Sequence, residues 1–280
     1  MNTVRSPEPM VDPVHRFVLF TNAKCGGTTL KRWFFTNLDL AGLERNPVRL
    51  AAAFGPGFAA RHLMRGRKWT PRGEALRDSE ALRLATNAYR KSYCVRALLS
   101  GATEGFFRFA VVRDPAPRLV SAYLDKFCGE DRDRPWVRSV VDQAGTNGDI
   151  TFDRFLDYLA AVDDENCNPH WRRQTYVLEG HRIDAWVRLE HIAEDFAAIG
   201  DRVGGAHLDI FGARLQAAPS AKLSWGDRPP LNAAPTAEIA AWRAEHGAFP
   251  PKEALLTDAT RARIREIYAA DYAALPYQEA

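Results

Sequence analysis

Two groups of residues carry donors suited to an anion. In the stretch TNAKCGGTTLKRWFF (21–35), Lys24 stands two positions before Gly26 and Gly27, and Thr28 and Thr29 follow directly. A glycine turn between a buried strand and a helix start bares backbone N–H groups, and the helix dipole adds partial positive charge to them. The glycines admit close approach, the threonines add hydroxyls and Lys24 adds a full charge, so a phosphate fits best. Taken alone, the stretch is also readable, though less favoured, as a strand-to-helix turn with an incidental lysine. Further along, FRFAVVRDPAPRLVSAYLDKF (107–127) puts Arg113 at a strand end, Pro115 at a helix start and Ser121 inside that helix. An arginine fork suits phosphate oxygens and a serine hydroxyl completes such a cradle.

Both groups need the same support, a strand running into a turn and a helix. FVLFTN from Phe17 is the continuous apolar run of a strand buried on both faces. After it, Leu30, Trp33, Phe34 and Leu38 fall at helical spacing. The second unit repeats the plan: FRFAVV as a strand, RDPAP as the breaker, then a helix with Leu119, Val120, Tyr123 and Phe127 on one side. Two such units imply a parallel sheet with helices packed on it. Thr151 is expected to cap a helix over TFDRFLDYLAAV, AWVRLE (185–190) to form a third strand, and AEDFAAIGDRVG the helix after it. The tail DATRARIREIYAADYAAL reads as a helix opened by a capping Asp258. Residues 41–106 read as an excursion over the sheet edge, and 129–150 as a surface connection.

Composition narrows the class. With 280 residues, 46% of them hydrophobic, the chain can bury a sizeable core, and one globular domain over 1–280 is expected. A formal net charge of +3 does not suit a nucleic-acid coat, so no nucleic-acid partner is expected. No apolar run approaches the length of a membrane span, and the start MNTVRSPEPMVDP lacks an apolar signal core. Cys25, Cys94, Cys128 and Cys167 show neither a C-x-x-C pair nor zinc-type spacing, and read as cytosolic thiols. The nucleotide loop G-x-x-x-x-G-K-[ST] places its lysine after the glycines, whereas Lys24 precedes them, and G-x-G-x-x-G is absent. Ordinary NTPases and dinucleotide dehydrogenases therefore lose ground.

The two motifs together, KCGGTTL from Lys24 and VRDPAPRLVSAY from Val112, resemble those of sulfotransferases that use 3′-phosphoadenosine 5′-phosphosulfate (PAPS), in particular the carbohydrate type called sulfotransferase family 2. The likeness extends to NPHWRRQTYVLEG (168–180), WVRLEHIAEDF (186–196) and IYAADYAAL, and is weakest over 41–106. It implies an α/β fold: a three-layer P-loop-like domain whose central parallel sheet is flanked by helices, with a 5′-phosphosulfate unit at 15–40, an acceptor-side excursion at 41–106, a 3′-phosphate unit at 107–128 and the remainder over 151–280. It also implies that Lys24, Gly26, Gly27, Thr28 and Thr29, with Cys25 between them, hold the 5′ end of PAPS, and that Arg113 and Ser121 hold its 3′-phosphate. The reaction implied moves a sulfuryl group in line to a hydroxyl of a carbohydrate or glycolipid, with Lys24 neutralising the leaving oxygen and no metal required. Animal relatives are usually held in the Golgi by an N-terminal membrane helix; this chain shows none, so a cytoplasmic enzyme of bacterial type is expected.

In such enzymes a histidine or glutamate after the first helix takes the acceptor proton. His62 is the favoured base, Glu44 the alternative, and Asp125 or Glu104 remain open; a solvated His62 in a basic loop is the plain competitor. His170, Trp171 and Arg173 are candidate substrate contacts, with Gln174 beside them, although Trp171 is equally readable as a core residue at a helix start. Glu190 reads as a strand-end carboxylate, and RHLMRGRKWTPR (61–72) either faces an anionic or sugar ligand or is a solvated surface. Two other functions stay in view. One is a kinase with an unusual loop, for which Asp114 is the obvious metal-binding carboxylate; the other is a non-catalytic nucleotide-binding protein that keeps both cradles but has no base.

Overall fold

The computed structural model describes residues 8–38, 47–54, 89–144, 148–204 and 225–277, together with isolated positions between 56 and 87. Its sheet has four strands in the order β1 (Glu8–Asp12), β2 (Phe17–Thr21), β3 (Phe107–Val112), β4 (Ala185–Arg188). β2 and β3 run parallel, with Phe17 opposite Phe107 and Thr21 opposite Val111, as two strand-turn-helix units require. β1 is an addition that apolar patterning did not reveal. It is too short and too proline-flanked to stand out, yet it pairs antiparallel with β2 and buries Met10 and Val11 fully. Its turn is made by Asp12, whose carboxylate accepts from the amides of Val14 (2.8 Å) and His15 (2.9 Å) and so reverses the chain into β2.

The described residues fall into two compact units, one built from 1–21, 26–111 and 180–212, the other from 22–25, 112–179 and 213–280. In the first, α1 (Gly27–Asn37) and α2 (Pro47–Phe54) are followed by a π-helical turn (Arg90–Cys94) that runs into α3 (Val95–Leu99). α1 turns Leu30, Trp33 and Phe34 inward, at the helical spacing expected of them. Phe17 and Phe109 share one sheet face because side chains alternate along a strand. Trp33 of α1 packs on Phe17 at 5.9 Å between ring centroids, and Phe196 of α8 (Ile192–Ala198) packs on Phe109 at 5.7 Å. Tyr89 hydroxyl donates to the carbonyl of Val11 at 2.7 Å and secures β1.

The second unit is helical. α4 (Pro115–Phe127) starts where the RDP breaker sets it: Asp114 caps it by accepting from the Ala116 amide at 2.9 Å. Residues 129–150 are more than a surface connection, since α5 (Pro135–Gln143) lies within them and buries Val137, Val140 and Val141. Charged residues on either side of that short apolar stripe concealed it. α6 (Phe152–Ala161) is capped as expected by Thr151, whose hydroxyl accepts from the Arg154 amide at 3.2 Å. The C-terminal helix is α11 (Asp258–Ile267), and its cap is Thr257, with Asp258 in the first turn; Tyr268 separates it from α12 (Ala269–Ala274). A core of Leu119, Tyr123, Phe127, Phe155, Trp171 and Ile264 joins these helices. Removing the α6 cap by Thr151→Ala should lower stability by about 1 kcal/mol, seen as a smaller midpoint in urea denaturation.

Candidate active site

Lys24 sits at the end of β2 in a left-handed backbone conformation, φ 66°. Such a conformation is unusual for a side chain other than glycine and persists only where surrounding contacts fix it. Two arginines supply those contacts. Arg113 Nη1 donates to the Lys24 carbonyl at 3.1 Å, and Arg118 Nε donates to the Ala23 carbonyl at 3.0 Å. The loop of the first motif is thus held by the arginines of the second, across 89 residues of sequence in the case of Arg113. Arg118 is almost fully buried, and a further bond from it reaches the Pro169 carbonyl at 3.4 Å. It stands inside VRDPAPRLVSAY but was not singled out, because an arginine on a helix reads as solvated until its partners are known.

Cys25 is fully buried, and its thiol donates to Gln174 Oε1 at 3.2 Å. Cys25, expected beside the 5′ cradle, therefore offers a ligand neither its thiol nor its amide, which donates to the Asn22 carbonyl at 3.3 Å. Gln174, at the start of α7 (Gln174–Leu178), was expected to face substrate and is instead an interior link. Its Oε1 also accepts from the Arg113 amide (3.0 Å) and its Nε2 donates to the Arg113 carbonyl (2.7 Å). Asp271, fully buried on α12, accepts from the amides of Gln174 and Thr175 at 2.9 Å each and from the Thr175 hydroxyl at 2.7 Å. A carboxylate at the amino end of α7 meets its unpaired N–H groups. The apolar periodicity of the tail offered no signal for Asp271.

The Lys24 ammonium donates to Asp125 Oδ2 at 2.7 Å. Asp125 lies on α4 one turn after the half-buried Ser121, on the same helix face, and also pairs with Lys126 at 2.9 Å. Lys126 in turn reaches Asp131 at 2.5 Å. Burial lowers the Lys24 ammonium below its ordinary value, an effect that Asp125 opposes without cancelling. Burial alone would raise the Asp125 carboxyl, but Lys24 and Lys126 bring it below the usual carboxylate range. Lys126 is held above its ordinary value, since Asp131 and Asp125 outweigh the effect of its burial.

In the other unit, Gly26 caps α1 with φ 73°, and a Cβ there would stand 2.8 Å from Leu189 Cδ1. The positive φ favours glycine here, and any side chain would also oblige Leu189 to move. A Cβ on Gly27 would meet nothing within 4 Å, Thr28 is exposed and Thr29 half-buried, at the amino end of an eleven-residue helix. His62 and Glu44, the favoured bases, lie outside the described residues, as does Trp69. Glu104 is exposed in the turn before β3, and Glu190 is exposed in a 3₁₀ turn after β4.

His170 is half-buried, with its ring parallel to Trp136 (5.7 Å, 10°) and its Nδ1 2.7 Å from Asn168 Oδ1. Because that oxygen only accepts, Nδ1 carries the proton and Nε2 keeps a lone pair. Burial, then the charges of Lys126 and Lys24, lower its pKa to about 4, so the ring is neutral near pH 7. Trp171, a candidate sugar or adenine platform, is fully buried among Phe127 (5.6 Å) and Phe155 (5.3 Å). Its large apolar surface has been taken by the core, and the platform reading is corrected accordingly. Arg173 is paired with Asp164 and lines a cleft of about 410 Å³ with Trp171, Glu266 and Tyr268. Asp114, the carboxylate a kinase would need, spends Oδ1 on the α4 cap and on the Tyr272 hydroxyl at 3.0 Å.

A family model described as "Sulfotransferase family" matches residues 7–278. Among curated proteins, the chain is 32% identical over 136 residues to "Carbohydrate sulfotransferase 14" of Mus musculus and, equally, of Homo sapiens, which covers 45% of this chain and 30% of each relative. It is 35% identical over 92 residues to "Carbohydrate sulfotransferase 10" of Rattus norvegicus, 29% of this chain and 23% of that protein. The matched stretch therefore spans less than a third of these relatives' length. No solved structure matches the chain significantly. Because Trp171 belongs to the core, Trp171→Ala should lower stability by about 3–5 kcal/mol in denaturant titration.

Proposed function

The chain belongs to the Sulfotransferase family, and we propose that it transfers a sulfuryl group from PAPS to a hydroxyl of a carbohydrate or glycolipid. The observation that carries this reading is the bond from Arg113 Nη1 to the Lys24 carbonyl at 3.1 Å, which brings the two anion-binding motifs together. A donor with anionic groups at both ends needs cations and hydroxyls at two linked places. Lys24 and the amino end of α1 suit the 5′ end, where Gly26, Gly27, Thr28 and Thr29 offer amides and hydroxyls. Arg113 and Ser121 suit the 3′-phosphate.

When bound, PAPS supplies an activated sulfuryl group whose link to the 5′-phosphate oxygen breaks on transfer. The lysine ammonium neutralises charge growing on that oxygen, and its partial burial strengthens the effect. Arg113 and Ser121 fix orientation, which in-line transfer demands. His62 is proposed as the base, with Glu44 the alternative. Asp125 is a weak proton acceptor while two lysines hold it ionised. His170 keeps its place as a candidate acceptor-side contact through Nε2, and Arg173 as a more distant one. The printed names of the relatives support a carbohydrate acceptor.

The same proposal treats 1–280 as one sulfotransferase domain, which the extent of the family match supports. It places the protein in the cytoplasm, because Cys25, Cys94, Cys128 and Cys167 are all buried thiols outside any disulfide. No described helix is long and apolar enough to cross a membrane. The kinase reading is less favoured, since Asp114 is employed as a helix cap.

Lys24→Ala should reduce kcat with PAPS roughly a hundred- to thousandfold, equivalent to about 3–4 kcal/mol, and arginine at this position should not restore it fully. Thermal-shift titration should show stabilisation by adenosine 3′,5′-bisphosphate, much less in Arg113→Ala, and little by ATP–Mg²⁺. Stabilisation by ATP–Mg²⁺ alone would return the kinase reading.

A further inference from the structure

We propose that Asp125 is a positioning residue for Lys24, a carboxylate that holds the ammonium in the free protein and gives it up to the anionic donor. This rests on the sulfotransferase reading above. Four charged side chains form one chain of contacts: Lys24 to Asp125 (2.7 Å), Asp125 to Lys126 (2.9 Å), Lys126 to Asp131 (2.5 Å). Their exposure is uneven in a telling way. The Lys24 and Lys126 side chains are 18% and 11% exposed, whereas Asp125 is 47% exposed. The cations lie inward and the carboxylate covers them from the solvent side, where an incoming anion arrives.

An exchange of partners is physically easy here. Lys24 cannot stay charged in a buried position without an anion, so an empty site needs a stand-in. Asp125 fills that need, and on losing Lys24 it keeps Lys126 and its solvent contact, so that no buried charge is stranded. The backbone that carries Lys24 is held independently of its ammonium. Arg113 and Arg118 hold the carbonyls of Lys24 and Ala23. Among the described residues, the cations Lys126 and Arg113 also act on Lys24, both unfavourably to its ammonium. Asp125 is thus the carboxylate on which the charged state of Lys24 depends.

Removing this carboxylate has two opposite consequences. It takes away a competitor for the ammonium, which favours anion binding wherever Lys24 is protonated. It also lowers the Lys24 pKa further, so the ammonium, and the binding it supports, is lost at a lower pH. The test is isothermal titration of the full chain with adenosine 3′,5′-bisphosphate between pH 6.5 and 10, for wild type, Asp125→Asn and Asp125→Ser, each also in a Lys24→Ala background. The expected result is about five- to tenfold tighter binding by both Asp125 variants at pH 6.5, an alkaline loss of affinity that begins at lower pH, and neither effect once Lys24 is absent. A merely structural role would weaken binding at every pH. Equal or weaker binding at pH 6.5, or an unmoved alkaline limb, would overturn the exchange and leave the donor reading standing. Failure of the wild type to bind the bisphosphate would take down the donor reading, and the exchange with it.

Discussion

A positively charged loop residue in a strained backbone conformation has to be held from outside, and much of the second unit is organised to do so. Lys24 at φ 66° follows a β-strand whose own hydrogen bonds end at Thr21. The carbonyl of Lys24 is met by Arg113, and that of Ala23 by Arg118 with the Cys25 thiol. Leaving such groups unmet in a half-buried position costs about 1–3 kcal/mol each, comparable to the strain itself. The loop conformation is thus a property of the RDPAPR segment as much as of KCGG.

Behind this clasp stands a second, fully buried one. Gln174 offers one amide to Cys25 and to both the N–H and the carbonyl of Arg113, and Asp271 fixes the helix end that carries Gln174. A network of this kind is favourable only when nearly every member is satisfied, and here the residues concerned come from four separate stretches of chain. Its effect on chemistry is indirect but definite: it fixes where Arg113 leaves β3, and so where its guanidinium points. The aromatic core of Tyr123, Phe127, Phe155 and Trp171 keeps α4 in place underneath, which sets the positions of Ser121 and Asp125 together.

Charge in the site is balanced locally. Two lysines share Asp125, and Asp131 supports Lys126, so cations that would repel each other are tolerated at low exposure. The same field acts on His170, where burial and the nearby lysines keep the ring neutral near pH 7. An anionic ligand entering such a site replaces an anion already there, which is why the free protein can keep its cations inward.

Apolar spacing and breaker residues by themselves determined β2, β3, α1 and α4, because each is a local pattern: a run buried on both faces, a glycine turn, a proline at a helix start, a stripe at helical period. The two motifs likewise announced the family through contiguous residue types. β1 and α5 were not legible, since each is short and hidden among prolines or charges, and only pairing with β2 or packing on the core shows them. The roles of Arg118, Gln174, Asp271 and Trp171 were decided by tertiary structure alone. A polar or aromatic side chain is written the same way in sequence whether it meets solvent, ligand or another buried group, and the partners that settle the matter lie about 15 to 150 residues away. Asp125 is the sharpest instance: its type marked it as a possible base, and only the 2.7 Å contact with Lys24 identifies it as that lysine's counter-ion.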